Sequence, residues 1–284
     1  MSASACLQDT TAQAVQGDLR LLEFRSEVFG NTRFLRIWLP PGYSDSTSSS
    51  RSYPVLYLND GQDLFDSSTA NYGSAEWQVD ETLSRLMEEG EIPEMIAVGI
   101  DNGGRRGRMR EYLPYPDEYL QPPEPDPVGS LYGEFLEAEV FPFVESRFRV
   151  RTDGAGRWLG GSSYGALIAL HVAVSRPGIL SRLLLESPSF YVDDDHVLRD
   201  AEEADLDLDR VYLGVGTNEL GLDGCPEHPD NAAAVQGVQR LSQILLAGGM
   251  EAGQVRVNIE ECAGHTQTAW ARRFPAAVRF LAGG

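Results

Sequence analysis

Short apolar runs alternate with longer segments of mixed polarity along most of the chain. Near-continuous apolar runs of four to eight residues are typical of strands that are covered on both faces. Such runs are RWLG (157–160), YPVLYLND (53–60), EMIAVGID (94–101), LSRLLLES (180–187), RVYLGVG (210–216) and QVRVNIEE (254–261). Two further stretches at the start, LRLLEFRSEV and TRFLRIWLPPGY, predict a pair of antiparallel strands with Gly30-Asn31 as the turn.

The segments between these strands predict helices. One follows Ser74, a plausible N-cap, and ends at Gly90, and another covers 131–148, where Pro142 implies a kink or a break. Three more are predicted directly after Ser163, over 231–248 and over 266–282. Alternating strands and helices predict an α/β fold with a mostly parallel central sheet and helices on both faces. We expect a single domain over 1–284, with 1–18 flexible.

One long stretch has no regular pattern. LPYPDEYLQPPEPDPVGS (113–130) is rich in proline and lies between a predicted strand and a predicted helix. A long irregular segment in a compact domain is usually functional or disordered. A rim or lid over an active site and a plain surface loop both fit this stretch.

Composition excludes several classes of function. The formal net charge is −20, from 23 basic and 43 acidic residues, which argues against a nucleic-acid partner because binding to phosphates needs excess positive charge. Every basic residue is arginine. Functions that require a lysine, such as a Walker-type phosphate loop or a Schiff base, are therefore excluded together.

Cysteine usage and the N-terminus suggest a compartment. Cys6, Cys225 and Cys262 are widely and irregularly spaced, which predicts free thiols rather than a zinc site or a disulfide framework. Cys262 lies three residues from His265, but a small apolar residue at a strand end explains it better than a Cys–His pair. No run is long enough to cross a membrane and the N-terminus has no secretion signal, so we expect a cytoplasmic protein with no membrane partner.

The stretch GSSYG (161–165) carries the strongest chemical signal. It matches G-x-S-x-G, in which the central serine sits on a sharp turn between a strand and a helix with its hydroxyl exposed. A lone match is weak, because turns commonly use glycine and serine. Here a strand precedes it and a helix follows it, so Ser163 is a candidate nucleophile. The Tyr164 backbone N–H, at the positive end of that helix, could bind an oxyanion.

A serine nucleophile needs a base and an acid. His265 ends the last predicted strand, at the sheet edge where Ser163 emerges, and is favoured over His228 in a polar loop. Glu219 follows a strand end and fits the chain order serine, acid, histidine, with Asp223 as the alternative. His171 is expected to be a packed helix residue, and His196 follows three adjacent aspartates in a loop.

These motifs resemble the putative-esterase family of α/β-hydrolases, which spans esterase D-like and enterochelin-esterase-like enzymes. The matching segments are LPPGY (39–43), YPVLYLNDGQDLFD (53–66), W-x-V-D (77–80), VGIDNGG (98–104), R-x-x-E-Y (108–112), GGSSYG, SPSF (187–190), GTNE (216–219) and AGH (263–265). The resemblance implies an α/β-hydrolase fold, the roles of Ser163, His265 and Glu219, and a second oxyanion donor at the Gln62 backbone N–H. Ester hydrolysis by such a serine requires no metal and no organic cofactor, and we expect none.

The arginine-rich segment NGGRRGRMRE (102–111) is a candidate for binding an anionic substrate. We expect substrate contacts from Asp60, Arg106 and Arg108. The competing interpretation pairs these arginines with Glu111 and neighbouring acids on the surface. The resemblance offers polysaccharide acyl esters, S-formylglutathione and siderophore triesters as substrates.

The preferred function is hydrolysis of a small-molecule carboxylic ester or thioester through an acyl-serine intermediate. An acyltransferase that uses the same triad is an alternative, and so is a siderophore (enterochelin-like) esterase. A catalytically dead binding protein is the least favoured, because a serine, an acid and a histidine occur in order at strand ends. The sequence does not indicate an oligomeric state.

Overall fold

An eight-stranded sheet forms the centre of the computed structural model, which describes residues 15–44, 50–71 and 75–283. The strands are β1 (Asp18–Ser26), β2 (Asn31–Leu39), β3 (Val55–Asn59), β4 (Ile96–Ile100), β5 (Arg157–Ser162), β6 (Arg182–Glu186), β7 (Arg210–Gly216) and β8 (Val255–Glu260). Their spatial order is β1-β2-β4-β3-β5-β6-β7-β8. Of the described strands, β2 alone runs opposite in direction to the other seven, so the predicted mostly parallel sheet is confirmed.

Helices cover both faces of this sheet, as predicted. They are α1 (Val79–Glu88), α2 (Gly104–Tyr112), α3 (Tyr132–Phe135), α4 (Phe141–Glu145), α5 (Tyr164–Ser175), α6 (His196–Glu203), α7 (Pro229–Ala247) and α8 (Gln267–Ala282). Because side chains alternate along a strand, β3 sends Leu56 and Leu58 to the face covered by α1 and α8. Val55 and Tyr57 face the larger core under the other helices.

The ends of several elements differ from the sequence-based expectation. The turn between β1 and β2 covers residues 27–30, because Ser26 already pairs with Asn31. Helix α1 begins at Val79, later than expected, and the proposed N-cap Ser74 lies outside the described residues. Gly90 follows the helix in a left-handed conformation, with a φ of 71°, as a terminating glycine should.

Pro142 neither ends nor breaks the helix that contains it. A π-helical turn, Leu136–Val140, joins α3 to α4, and Pro142 lies in the first turn of α4. Proline lacks an N–H and its ring crowds the preceding turn, and the wider π-helical turn lies directly before it, where that crowding falls. The helical run therefore continues with a local change of pitch instead of a break.

Two helices, α2 and α6, were not predicted. The α2 sequence GRRGRMREY has two glycines and no apolar stripe, although it buries Arg108, Glu111 and Tyr112. Helix α6 is short and follows three aspartates, and only Val197, Leu198 and Ala201 mark its buried side. The α2 sequence has no helical periodicity, and the apolar spacing of α6 spans little more than one turn, so neither helix stands out in the sequence.

Within the described ranges, no helix is both long and apolar enough to cross a membrane. The organisation of 1–284 as a single domain stays a prediction, since the structure describes only part of that range.

Candidate active site

Ser163 occupies a sharp turn between β5 and α5. Its backbone has φ 58° and ψ −127°, a conformation that residues with side chains rarely adopt. The turn also needs its flanking glycines. A Cβ on Gly161 would lie 2.9 Å from the Gly165 carbonyl carbon and oxygen, and one on Gly165 would lie 3.3 Å from the Cβ of Asn59. The G-x-S-x-G spacing is thus what lets the chain reverse at this point.

The Ser163 side chain is half-buried at the N-terminus of α5. Its Oγ lies 3.4 Å from the Oγ of Ser189, and its backbone N–H donates to the Glu186 carbonyl at 3.0 Å. The first N–H groups of a helix have no partner within the helix and carry partial positive charge. The Tyr164 N–H heads α5, so it is positioned next to the serine where an anion would be favoured.

His265 follows β8 and reaches the candidate acid. Its Nδ1 lies 2.7 Å from Glu219 Oε2. The imidazole packs edge-on against Trp270, with ring centroids 5.1 Å apart. Among the described residues, the side chains of Ser163 and His265 are not hydrogen-bonded to each other.

The other three histidines have different surroundings. His171 is buried in α5, with Nδ1 3.3 Å from the Tyr115 hydroxyl, and burial lowers its pKa to about 4. His196 stacks on Tyr115 at a centroid distance of 3.9 Å and bonds flanking aspartates. His228 caps α7 by accepting a backbone N–H at 3.2 Å. The structure therefore places only His265, of the four, beside Glu219.

Glu219 is held by three donors. Its Oε1 accepts the Gly216 N–H at 2.6 Å and the Ser187 hydroxyl at 2.8 Å, while Oε2 faces His265. Burial by itself would raise the pKa of this carboxyl, but the bond and charge of His265, with help from the other two donors, hold it below its usual value. The alternative acid, Asp223, is exposed four residues further on.

Sequence reasoning missed the side chains that support Glu219. The Trp270 indole N–H donates to the Ser187 hydroxyl at 2.9 Å, and Arg273 lies 3.5 Å from the same oxygen. Arg273 also pairs at 2.7 Å with Glu186, which is fully buried. Two features of the sequence could have indicated these contacts. They are the SPSF motif directly after a strand, and a tryptophan one turn into the helix that follows His265.

The loop after β3 carries the second predicted oxyanion donor. Gln62 is the middle residue of a 3₁₀ turn, Gly61–Asp63, that follows Asp60 in a left-handed conformation. The Gln62 side chain exchanges hydrogen bonds with the Asn102 backbone, donating at 3.0 Å and accepting at 3.1 Å. These contacts tie the turn to the end of β4.

The predicted substrate-binding residues lie in two environments. Asp60 and Arg108 are buried and pair with each other at 2.8 Å, whereas Arg106 is exposed on α2. Glu111, expected as a partner for this arginine cluster, instead pairs with Arg33 at 2.7 Å. A substrate contact by Asp60, Arg106 or Arg108 stays a prediction.

The proline-rich segment 113–130 contacts Tyr164, the residue that follows Ser163. The Tyr164 hydroxyl donates to Asp117, which is buried, and Asp117 Oδ1 accepts the Tyr119 N–H at 2.9 Å. The exposed rings of Tyr119 and Tyr191 meet edge-on, with centroids 5.7 Å apart. This part of the segment borders the Ser163 turn with aromatic side chains.

The prediction of free thiols is wrong for two cysteines. Cys225 and Cys262 form a disulfide, with Cα atoms 5.5 Å apart. The two cysteines are 37 residues apart, and this spacing does not predict a disulfide. They meet because β7 and β8 are parallel neighbours, so the loops that follow them lie at the same edge of the sheet. Cys6 lies outside the described residues. The bridge joins the loop of Glu219 to the loop of His265.

In the described part of the chain, no cluster of three or more histidine, cysteine, aspartate or glutamate side chains is arranged to hold a metal ion.

The strand order, the tight turn at Ser163 and the helices on both faces define an α/β-hydrolase. Residues 26–281 match the family described as "Putative esterase", so the chain belongs to that family, as its motifs predicted. Membership makes it an enzyme of the carboxylic ester hydrolase class.

The chain is similar in sequence or structure to several known proteins. YbbA of Bacillus subtilis, described as uncharacterized, is 23% identical over 256 residues, 89% of this chain and 94% of that protein. A siderophore enterobactin esterase of Emericella nidulans is 32% identical over 174 residues, 57% of this chain and 55% of the fungal protein. The fold resembles an IroE-like serine hydrolase from Shewanella oneidensis, with a TM-score of 0.68 at 22% identity over 92% of this chain and 79% of the other.

Proposed function

We propose that the protein hydrolyses a carboxylic ester through an acyl-serine intermediate, with Ser163 as nucleophile, His265 as general base and Glu219 as the acid that orients the base. The observation that carries the proposal is the 2.7 Å contact between His265 Nδ1 and Glu219 Oε2, at the sheet edge where Ser163 emerges. An ionised Glu219 favours a proton on Nδ1. Nε2 is then free to take the Ser163 proton.

The steps follow from this arrangement. Ser163 Oγ attacks the ester carbonyl while His265 Nε2 accepts its proton, and the tetrahedral oxyanion is bound by the backbone N–H groups of Tyr164 and Gln62. His265 then protonates the leaving alcohol, which departs and leaves the acyl group on Ser163. Water, activated by the same imidazole, hydrolyses the acyl-enzyme. Catalytic hydrogen bonds often tighten only when substrate binds, so an unbonded Ser163–His265 pair is compatible with this role.

Fluorophosphonate labelling tests the nucleophile. We expect one label per chain, removed by Ser163→Ala together with hydrolysis of nitrophenyl acetate. Ser175→Ala, at the far end of the same helix, is the control and should label like the wild type. A Ser163→Ala protein that folds and retains near-wild-type turnover would refute the assignment.

Siderophore esters are the second candidate for the substrate. Their support is the similarity to the E. nidulans enzyme, which is named for hydrolysing enterobactin. Tyr119 and Tyr191 offer exposed rings beside the site, and Arg106 offers an exposed charge for an anionic group. A panel of short acyl nitrophenyl esters, acetylated sugars and catechol siderophores, compared by kcat/KM, ranks these classes. An added alcohol that diverts the acyl group from water would instead favour acyl transfer.

A cytoplasmic location stays a prediction, and the Cys225–Cys262 disulfide weighs against it, because such bonds are rare in reducing compartments. Counting free thiols in protein isolated from its native cells with an alkylating quench tests the two possibilities. A single free thiol indicates an oxidising compartment, and three indicate a reducing one.

A further inference from the structure

The Asp60 carboxylate accepts three hydrogen bonds from buried side chains. Arg108 Nε and Nη2 donate to its two oxygens, each at 2.8 Å, and Asn102 Nδ2 donates to Oδ1 at 2.7 Å. The residue is 5% exposed and Arg108 is 8% exposed. A buried carboxylate that is paired with arginine through two parallel hydrogen bonds has a fixed geometry.

Arg108 also reaches the nucleophile side of the site. Its Nη2 lies 3.4 Å from the carbonyl oxygen of Ser162, the last residue of β5. Its guanidinium carbon lies 5.7 Å from the ring centroid of Tyr164, which follows the nucleophile. One guanidinium therefore contacts the loop after β3 and both neighbours of Ser163.

The backbone of Asp60 is held as firmly as its side chain. Its φ of 58° and ψ of 51° are unusual for a residue with a side chain, and its N–H donates to the Tyr112 hydroxyl at 3.1 Å. The 3₁₀ turn that carries the Gln62 N–H begins at the next residue. The position of that N–H thus depends on where Asp60 is held.

From these contacts we infer that Asp60 and Arg108 are positioning residues, which set the distance between the two oxyanion donors, the N–H groups of Gln62 and Tyr164. This inference rests on the proposed serine mechanism. Asp60 anchors the Gln62 turn, and Arg108 ties that anchor to the strand end and helix start that flank Ser163. Loss of the pair lets the donors separate, which weakens binding of the transition state more than binding of the substrate.

The chain supplies a matched control. Arg33 and Glu111 form another buried pair, at 2.7 Å, with Glu111 on the same helix as Arg108. Asp60→Asn and Glu111→Gln each neutralise one buried carboxylate and leave an arginine facing an amide. Both should lower the melting temperature. Only Asp60→Asn should lower kcat for nitrophenyl acetate, by about ten- to a hundredfold with KM within about twofold, since losing an oxyanion donor outright costs about 10²–10³.

A second pair of variants keeps both buried charges, so it is less prone to misfold than the first pair. Tyr112→Phe removes the hydroxyl that accepts the Asp60 N–H, and Tyr57→Phe removes a buried hydroxyl on β3 that has no hydrogen-bond partner. We expect a several-fold loss of kcat in Tyr112→Phe alone. Fluorophosphonate stoichiometry at Ser163 is measured in every protein, so that kcat is expressed per competent site.

The outcomes separate the two proposals. If wild-type Ser163 is not labelled, the serine mechanism fails and the positioning role fails with it. If all proteins label fully and Asp60→Asn lowers kcat no more than Glu111→Gln, only the positioning role is overturned. If Asp60→Asn raises KM at unchanged kcat, Asp60 contacts substrate instead.

Discussion

The two sides of the site are built differently. The Ser163 turn joins a buried strand to a helix whose residues 165–173 are all buried. Glu219 and His265 lie on loops that are mostly exposed or partly exposed, 217–228 and 261–266. The first side is positioned by the core and by close glycine contacts. The second is positioned by individual hydrogen bonds and a disulfide. We therefore expect substitutions on the two sides to affect stability and turnover differently.

Hydrogen bonds and a disulfide join the two loops of the second side, in addition to the contact between His265 and Glu219. The Cys262 N–H donates to Thr217 Oγ1 at 2.8 Å, and the Asn218 N–H donates to the Ala263 carbonyl at 3.0 Å. The Cys225–Cys262 disulfide adds a covalent link. Where little apolar surface is buried, a cross-link and a few hydrogen bonds must supply the order that packing supplies elsewhere.

The largest expected effect is on turnover, when Glu219, the proposed acid, is changed. Glu219→Gln should lower kcat by about 10³–10⁴, because an amide can stabilise the wrong tautomer of His265. The melting temperature should fall modestly, since the amide keeps the shape of the side chain but lacks the charge that its three donors stabilise. Asp223→Asn is the control and should stay within about twofold of wild type. Steady-state kinetics of the two variants test this. A larger loss of kcat in Asp223→Asn than in Glu219→Gln would assign the acid to Asp223.

The second-largest expected effect is a loss of stability when the disulfide is removed. For a loop of 37 residues, the double change Cys225→Ser, Cys262→Ser should lower the free energy of unfolding by about 3–4 kcal/mol. Urea unfolding measures this, with Cys6→Ser as the control. Turnover should fall as well, because the His265 and Glu219 loops lose their covalent link. Unchanged stability and turnover would mean that hydrogen bonds alone order these loops.

Acid should lower the stability of the protein through His171, on the helix that follows Ser163. Burial, more than nearby His196, lowers the pKa of His171 to about 4 from its usual 6.5, against the opposing pull of Asp200. The unfolded chain therefore binds more protons than the folded chain between pH 4 and 6.5, so stability falls as the pH falls through that window, by about 3 kcal/mol at most. His171→Gln should flatten this slope in urea unfolding at pH 4 to 7. An identical slope in the variant would exclude His171 as its source.

The smallest of these effects is expected at the turn itself. Gly161→Ala forces a Cβ against the Gly165 carbonyl and should destabilise the protein by about 1–3 kcal/mol while displacing Ser163 and reducing turnover. Gly253→Ala, whose added Cβ would meet nothing within 4 Å, is the control. Thermal unfolding and kinetics are measured together. Equal melting temperatures would mean that the turn is less tightly packed than its geometry implies.

The sequence by itself was sufficient for the α/β class, the sharp turn at Ser163, and a strand-end glutamate and histidine that the structure brings within hydrogen-bond distance. These features depend on local patterns and chain order: strand-length apolar runs, small residues around one serine, and the order serine, acid, histidine.

Only the tertiary structure decided the disulfide, the Trp270–Ser187–Glu219 contacts and the pairing of Asp60 with Arg108. Each joins residues that lie far apart in the chain, and the strand order β4-β3-β5 and β6-β7-β8 determines which strand ends become neighbours. Helices α2 and α6 belong with them, because neighbouring elements stabilise these short segments more than their own sequences do. The spacing of cysteines or a cluster of arginines in the sequence does not predict their partners, because the order of the strands determines which residues lie next to them.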